Sequence, residues 1–208
     1  MSEYKAIETV YGGVRYRSKN EAKWALFFDL VGIRYEYEPV TVTGMYGIKY
    51  RPDFWFPEYG RFAEVKSSDE GIHNPKMAQK LEAAIDWNST EVSKGLLLLG
   101  NFPFDVRVLH ASLLIDYLFC NKGVCLGCAT IKEDEDGTVR IHFNDDFIRD
   151  VGAPIPDDAS TTIGILGNSQ SRKIHDAIMR VNDHFNYAAK LDRSIVEAVA
   201  NVFDETPF

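Results

Sequence analysis

Tyr50-Arg51-Pro52-Asp53-Phe54-Trp55-Phe56, followed after a turn at Pro57–Gly60 by Phe62-Ala63-Glu64-Val65-Lys66-Ser67, decides how this 208-residue chain folds. The first run, taken from Ile48 to Phe56, is aromatic and reads as a strand. The second reads as a strand with Phe62, Glu64 and Lys66 on one face and Ala63 and Val65 on the other. A four-residue turn between them makes them neighbours. Asp53, set among Phe, Trp and Tyr, needs a partner, because an unpaired buried charge is very costly. Adjacent short strands bring it beside Glu64. Two close carboxylates repel, so the pair calls for a cation, and a hard divalent ion such as Mg²⁺, or Mn²⁺, suits carboxylates and water.

Working outward, Ser18 with Glu21 three residues later forms a capping box. Ala22, Trp24, Ala25, Leu26, Phe28 and Leu30 continue as a helix that Gly32 stops. Ile33–Glu38 reads as a strand ended by Pro39. Residues 1–16 read as an irregular arm with one short strand, closing on the Gly12-Gly13 turn. Downstream, Pro75 opens a helix to about Trp87, with Met77, Leu81, Ala84 and Ile85 on its apolar stripe. Leu96–Leu99 is the wholly apolar pattern of a central strand. The order is helix, three-strand meander, helix, strand. The helix before the last strand implies a parallel crossover, so the expectation is an α/β fold with a mixed central sheet flanked by helices.

Residues 1–100 are taken as this core with its N-terminal arm, and 101–208 as an α+β C-terminal extension packed on it. In the extension, Val106–Phe119 mixes β-branched and helical signals. Ala129–Phe143 reads as a hairpin about Glu133–Gly137, Ala153–Ala159 as a loop, and Ser169–Lys190 and Asp192–Phe203 as helices. With 45% hydrophobic residues the chain can build a packed core.

The formal net charge of -8 is unusual for a nucleic-acid binder. It is unevenly spread: residues 1–100 hold 13 basic and 14 acidic side chains, residues 101–208 hold 10 and 17. The first part is nearly neutral and contains Arg15, Arg17, Lys19 and Lys23; the acidic second part could repel DNA or dock a basic protein partner. No export signal or membrane-length apolar run is visible. Three cysteines without an export signal point to reduced thiols in a cytoplasm-like compartment.

The ion implied by Asp53 and Glu64 would lower the pKa of a bound water and offset charge on a phosphate. Lys66 would sit beside the ion and the water. Glu21 can join them if the first helix crosses the sheet, a role that competes with closing the capping box. The bland alternative for Glu64 and Lys66 is a surface ion pair beside a turn at Pro52-Asp53.

Pro52-Asp53 with Glu64-Val65-Lys66 resembles the PD-(D/E)XK, or restriction-endonuclease-like, nuclease superfamily, and Glu21 resembles its upstream helical glutamate. The order of Glu21, Asp53, Glu64 and Lys66 is similar to that of phage junction-resolving endonucleases of the endonuclease I type. Tyr16-Arg17-Ser18-Lys19-Asn20-Glu21-Ala22-Lys23-Trp24-Ala25 resembles the start of small phage nucleases and of transposon-end-cutting subunits. The resemblance covers residues 17–100. It implies the same core order, catalytic roles for Glu21, Asp53, Glu64 and Lys66, and a metal held by Asp53, Glu64, the Val65 backbone carbonyl and Glu21. It further implies a bacterial or phage-infected host cell as the setting.

Arg17, Lys19, Arg51, Gln79 and Lys80 are candidates for phosphate contact, each with the alternative of a solvated surface or, for Arg51, a counter-charge. Cys120, Cys125 and Cys128 with His142 or His110 could form a zinc site, or the cysteines could be buried thiols. The leading expectation is a Mg²⁺-dependent endonuclease leaving a 5′-phosphate, acting as a homodimer if it cuts both DNA strands. The alternative is an inactive nuclease-fold module that binds DNA or protein.

Overall fold

The computed structural model describes residues 6–43, 47, 49–66, 80, 95–102, 114–120, 123–150 and 171–186, with backbone alone at 114–120, 123–128 and 144–150. Its centre is a seven-stranded sheet in the order β11-β10-β9-β8-β7-β6-β3. The strands are β3 (Glu36–Tyr37), β6 (Phe54–Phe56), β7 (Arg61–Val65), β8 (Gly95–Leu99), β9 (Leu114–Cys120), β10 (Gly123–Glu133) and β11 (Val139–Asp150). β7 and β8 run parallel and every other neighbouring pair is antiparallel, so the sheet is mixed. Helices flank it, and the fold is α/β.

Helix α1 (Lys19–Val31) begins where Ser18, in an extended conformation, accepts the Glu21 amide on its Oγ at 3.1 Å. It ends at Gly32, whose φ of 83° is open to glycine without strain and whose N–H reaches Phe28 O at 2.9 Å. Trp24, Ala25, Phe27 and Phe28 are fully buried, so the helix is apolar around most of its circumference and lies deep in the core. Phe28 meets Phe54 and Phe56 edge-on, at ring-centroid distances of 5.8 and 5.0 Å. Ala63, Leu97 and Leu99 complete that sheet face. Residues 172–186 form a helix whose Ile174, Ala177, Ile178, Val181 and Phe185 follow helical spacing and join the same core. Each large apolar side chain buried there contributes roughly 1.5–3 kcal/mol.

The other sheet face is also covered: Trp55, Phe62, Leu96 and Leu98 are buried, with Trp55 and Phe62 rings 4.6 Å apart. Glu64 shares this face, paired in register with Leu98 on β8. Among the described residues no helix is long and apolar enough to cross a membrane.

Several sequence expectations need correction. The arm before residue 17 is a regular hairpin, β1 (Thr9–Tyr11) against β2 (Val14–Tyr16), because Gly12 and Gly13 both take the positive φ that a tight two-residue turn needs. The expected strand Ile48–Phe56 is broken. β5 (Lys49–Tyr50) pairs with β4 (Val42–Thr43) in a separate small sheet, and only β6 joins the main one. Pro52 has no N–H for the ladder, which makes it the natural break. The Ile33–Glu38 strand shrinks to β3. The hairpin expected at 129–143 is longer, and β9 replaces the ambiguous reading of 106–119; β9, β10 and β11 extend the main sheet. The loop at 153–159, the helix at 192–203 and the helix expected at 75–87, apart from helical Lys80, lie outside the described residues.

Candidate active site

The break after β5 builds the site. Tyr50 ends β5, Asp53 precedes β6, and Glu64 and Val65 end β7, so three short elements converge where the strands part. Asp53 is 3% exposed and Glu64 4%. The backbone fixes Asp53 on both sides: its amide donates to Ala63 O at 3.0 Å, and its Oδ2 accepts the Val65 amide at 2.7 Å. Its Oδ1 is ion-paired with Arg17. Glu64 accepts the Tyr50 hydroxyl on Oε2 at 2.7 Å and the Lys66 ammonium on Oε1 at 2.5 Å. Lys80 also ion-pairs with that Oε1, and its ammonium lies 5.0 Å from the centre of the Tyr50 ring.

The two carboxylates titrate in opposite directions. Burial, then the nearby charges of Glu64 and Glu21, push Asp53 up to about 7, against weaker opposing pulls from the Val65 amide and Arg17. Burial also works to raise Glu64, but Lys66 and Lys80 outweigh it and hold its carboxyl below the usual range. Burial, Glu64 and Asp53 together raise Tyr50 far above its ordinary value, so its hydroxyl is a fixed donor. The site therefore holds one ionised carboxylate and one poised to take a proton near neutrality, the pattern of like charges pressed together away from water.

Glu21 is 7% exposed and turned to its own helix start. Its carboxylate accepts from the Ser18 hydroxyl at 2.7 Å, the Tyr37 hydroxyl at 2.7 Å and the Arg17 amide at 3.1 Å. It closes the cap and reaches Asp53 only through its charge. Lys19 donates to Phe185 O at 3.3 Å. Arg17 and Arg51 both pair with Glu38, Arg17 Nε at 2.6 Å from Oε1 and Arg51 Nη1 at 3.3 Å from Oε2. Gln79 and the side chains of Cys120, Cys125 and Cys128 lie outside the described residues. His142 Nε2 lies 2.9 Å from Asp134 Oδ1 on the β10–β11 hairpin. Among the described residues no group of three or more His, Cys, Asp or Glu side chains is set to hold a metal.

Two contributors escaped the sequence reading. Tyr50 passed as one more strand aromatic. Glu38 read as the end of a strand, yet it is the only non-glycine of positive φ among the described residues, at 44°. A left-handed backbone costs a β-carbon residue on the order of 1–2 kcal/mol, and Pro39 next to it narrows its choices further. No signal in the sequence marks either role. No protein-family model matches this chain, and a search of curated proteins finds no similar sequence. The functional reading therefore rests on these residues and their geometry.

Proposed function

We propose that this protein is a metal-dependent endodeoxyribonuclease that hydrolyses DNA phosphodiester bonds and leaves a 5′-phosphate. The observation that carries the reading is the buried Asp53–Glu64 pair, with Asp53 pushed up to about 7 and Lys66 hydrogen-bonded alongside. Mg²⁺ keeps several waters and takes only one or two protein carboxylates. Asp53, Glu64 and the Val65 carbonyl are thus an adequate donor set for Mg²⁺ or Mn²⁺, and Glu21 acts on it through charge. When bound, the ion lowers the pKa of water and stabilises negative charge on the phosphate.

The chain's own groups do the rest. Asp53 gives up its proton before a cation can bind. Tyr50 and Lys80 keep Glu64 in one orientation. Lys66 orients the attacking water and offsets charge building on the phosphate oxygens. The attacking water gives up a proton to bulk solvent as its oxygen bonds to phosphorus, the bond from phosphorus to the 3′ oxygen breaks, and that oxygen leaves as a hydroxyl after protonation from solvent. Cutting both strands of a duplex uses two such sites, which favours a homodimer, and the setting proposed is the cytoplasm of a bacterial or phage-infected cell.

Titrating Mg²⁺ and Mn²⁺ against linear, nicked and four-way DNA tests this. Cleavage by the wild type that is lost in Lys66→Ala supports it. No cleavage by either protein sinks the enzyme reading. Binding without cleavage points instead to a nuclease-fold binding module.

A further inference from the structure

Arg17 lies in the turn between β2 and α1, and Arg51 in the break between β5 and β6. One carboxylate holds both. Arg17 Nε lies 2.6 Å from Glu38 Oε1 and Arg51 Nη1 lies 3.3 Å from Oε2, two ion pairs on one carboxylate. The Glu38 side chain is 18% exposed while the two arginines are 49% and 52% exposed. The acid is thus underneath and the guanidinium groups are at the surface. Glu38 is itself pinned: its amide donates to Asp53 O at 2.9 Å, and its φ of 44° is strained for a glutamate. Such backbone outliers persist where surrounding contacts over-determine them, often at ligand clamps. Arg17 also bridges to Asp53, so the pair adjoins the candidate catalytic carboxylates.

We propose that Glu38 tethers Arg17 and Arg51 as a preformed guanidinium clamp for a nucleic-acid backbone phosphate beside Asp53. A guanidinium carries five N–H donors in a rigid fork. The ion pairs occupy Nε and one Nη of Arg17 and one Nη of Arg51. Tyr37 also hydrogen-bonds the Arg17 side chain, and with both side chains about half exposed the guanidinium groups can turn further N–H donors to phosphate oxygens. Two untethered surface arginines would have to be immobilised on binding; here Glu38 has already ordered them, which lowers the cost of association. A cation on Asp53 would compete with Arg17 for that carboxylate and release its charge toward the incoming phosphate. The inference rests on the nuclease reading and names how that site holds its substrate.

The test uses a fluorescent DNA duplex in Ca²⁺, so that binding is read without cleavage, across a salt series, together with single-turnover cleavage in Mg²⁺. For Arg51→Ala the slope of log affinity against log salt should fall by about one unit, with weaker binding on every sequence tried. Arg51→Lys should recover the slope but not the cleavage rate, because it restores charge without the fork. Glu38→Gln should weaken duplex binding several-fold and lower the saturated cleavage rate by about tenfold or more, because the arginines lose their anchor. A purely structural ion pair would shift melting temperature and leave the salt slope untouched. Wild type that cuts DNA, with Arg51→Ala retaining the full slope, overturns the clamp alone. Wild type that neither binds nor cuts DNA overturns the clamp together with the nuclease reading.

Discussion

Replacing Asp53 with asparagine should stabilise the metal-free protein above neutral pH, although it removes a residue at the heart of the proposed site. Asp53 stands at about 7 in the fold against an ordinary 3.8, chiefly through burial and next through Glu64. Between those values the folded chain holds a proton that the unfolded chain has released. Folding stability therefore falls as pH rises through this window, the reverse of a salt-bridged aspartate. At about 1.4 kcal/mol per unit, the shift corresponds to roughly 4 kcal/mol of destabilisation once pH exceeds the folded value. About 2–3 kcal/mol of that should appear between pH 5 and pH 8. Asp53→Asn keeps the shape, and its amide oxygen can still accept the Val65 N–H now made at 2.7 Å. It forfeits the pairing with half-exposed Arg17, worth on the order of 1 kcal/mol. The net gain near pH 8 is about 2–3 kcal/mol, and the slope between the two pH values should nearly vanish. Glu64 does not blur the result. Its pKa is lowered, so the stability it contributes is lost only as pH falls below about 4.5, outside the window. Urea unfolding in EDTA at a series of pH values measures this. A wild type equally stable at both ends, or a variant less stable than wild type near pH 8, would mean that Asp53 holds no extra proton in the fold.

Lys66→Ala should lower single-turnover DNA cleavage by about 10²–10⁴-fold while leaving duplex affinity nearly unchanged, since its ammonium serves the reacting centre more than the backbone contacts. Tyr50→Phe leaves the buried Glu64 Oε2 without its 2.7 Å donor and should cost about 1–3 kcal/mol in denaturant unfolding without metal; an unchanged midpoint would remove Tyr50 from the site. Ser18→Ala should cost about 1 kcal/mol through loss of the α1 cap, with cleavage changing little if Glu21 acts only through its charge; a collapse in cleavage would give Glu21 a direct role. Leu97→Ala, at the centre of β8 and fully buried, should cost about 2–5 kcal/mol and gives the scale for ordinary core damage.

The order of helix, strands and a parallel apolar strand was readable because its signals are local. Ser18 and Gly32 bound α1 by capping chemistry, and the short apolar run Leu96–Leu99 has the pattern of a covered strand. Glu64 and Lys66 were legible for the same reason, as a period of two fixes a shared face. What escaped depends on contacts distant in sequence. Pro52 marks a break, but nothing local says that Tyr50 then pairs with Val42 and turns its hydroxyl to Glu64. Arg17 looked like a free basic residue until the fold brought it to Glu38 and Asp53. Glu21 had two competing readings, and three short hydrogen bonds place its carboxylate at the cap. The strands beyond residue 100 were harder still. Their place in the sheet is set by β9 pairing with β8 and by β10 and β11 adding in turn beyond it, and the β8 sequence carries no record of that neighbour.

Calorimetric titration of Mn²⁺ near pH 6, in two buffers of different ionisation enthalpy, tests most directly whether Asp53 and Glu64 form a divalent-cation site. An Asp53 carboxyl raised to about 7 is mostly protonated there and must ionise to bind the metal. Saturable binding is expected, with release of close to one proton per ion that falls to almost none near pH 9, and with loss of binding in Asp53→Asn and Glu64→Gln. Binding that releases no proton near pH 6, or that survives both substitutions, would contradict it.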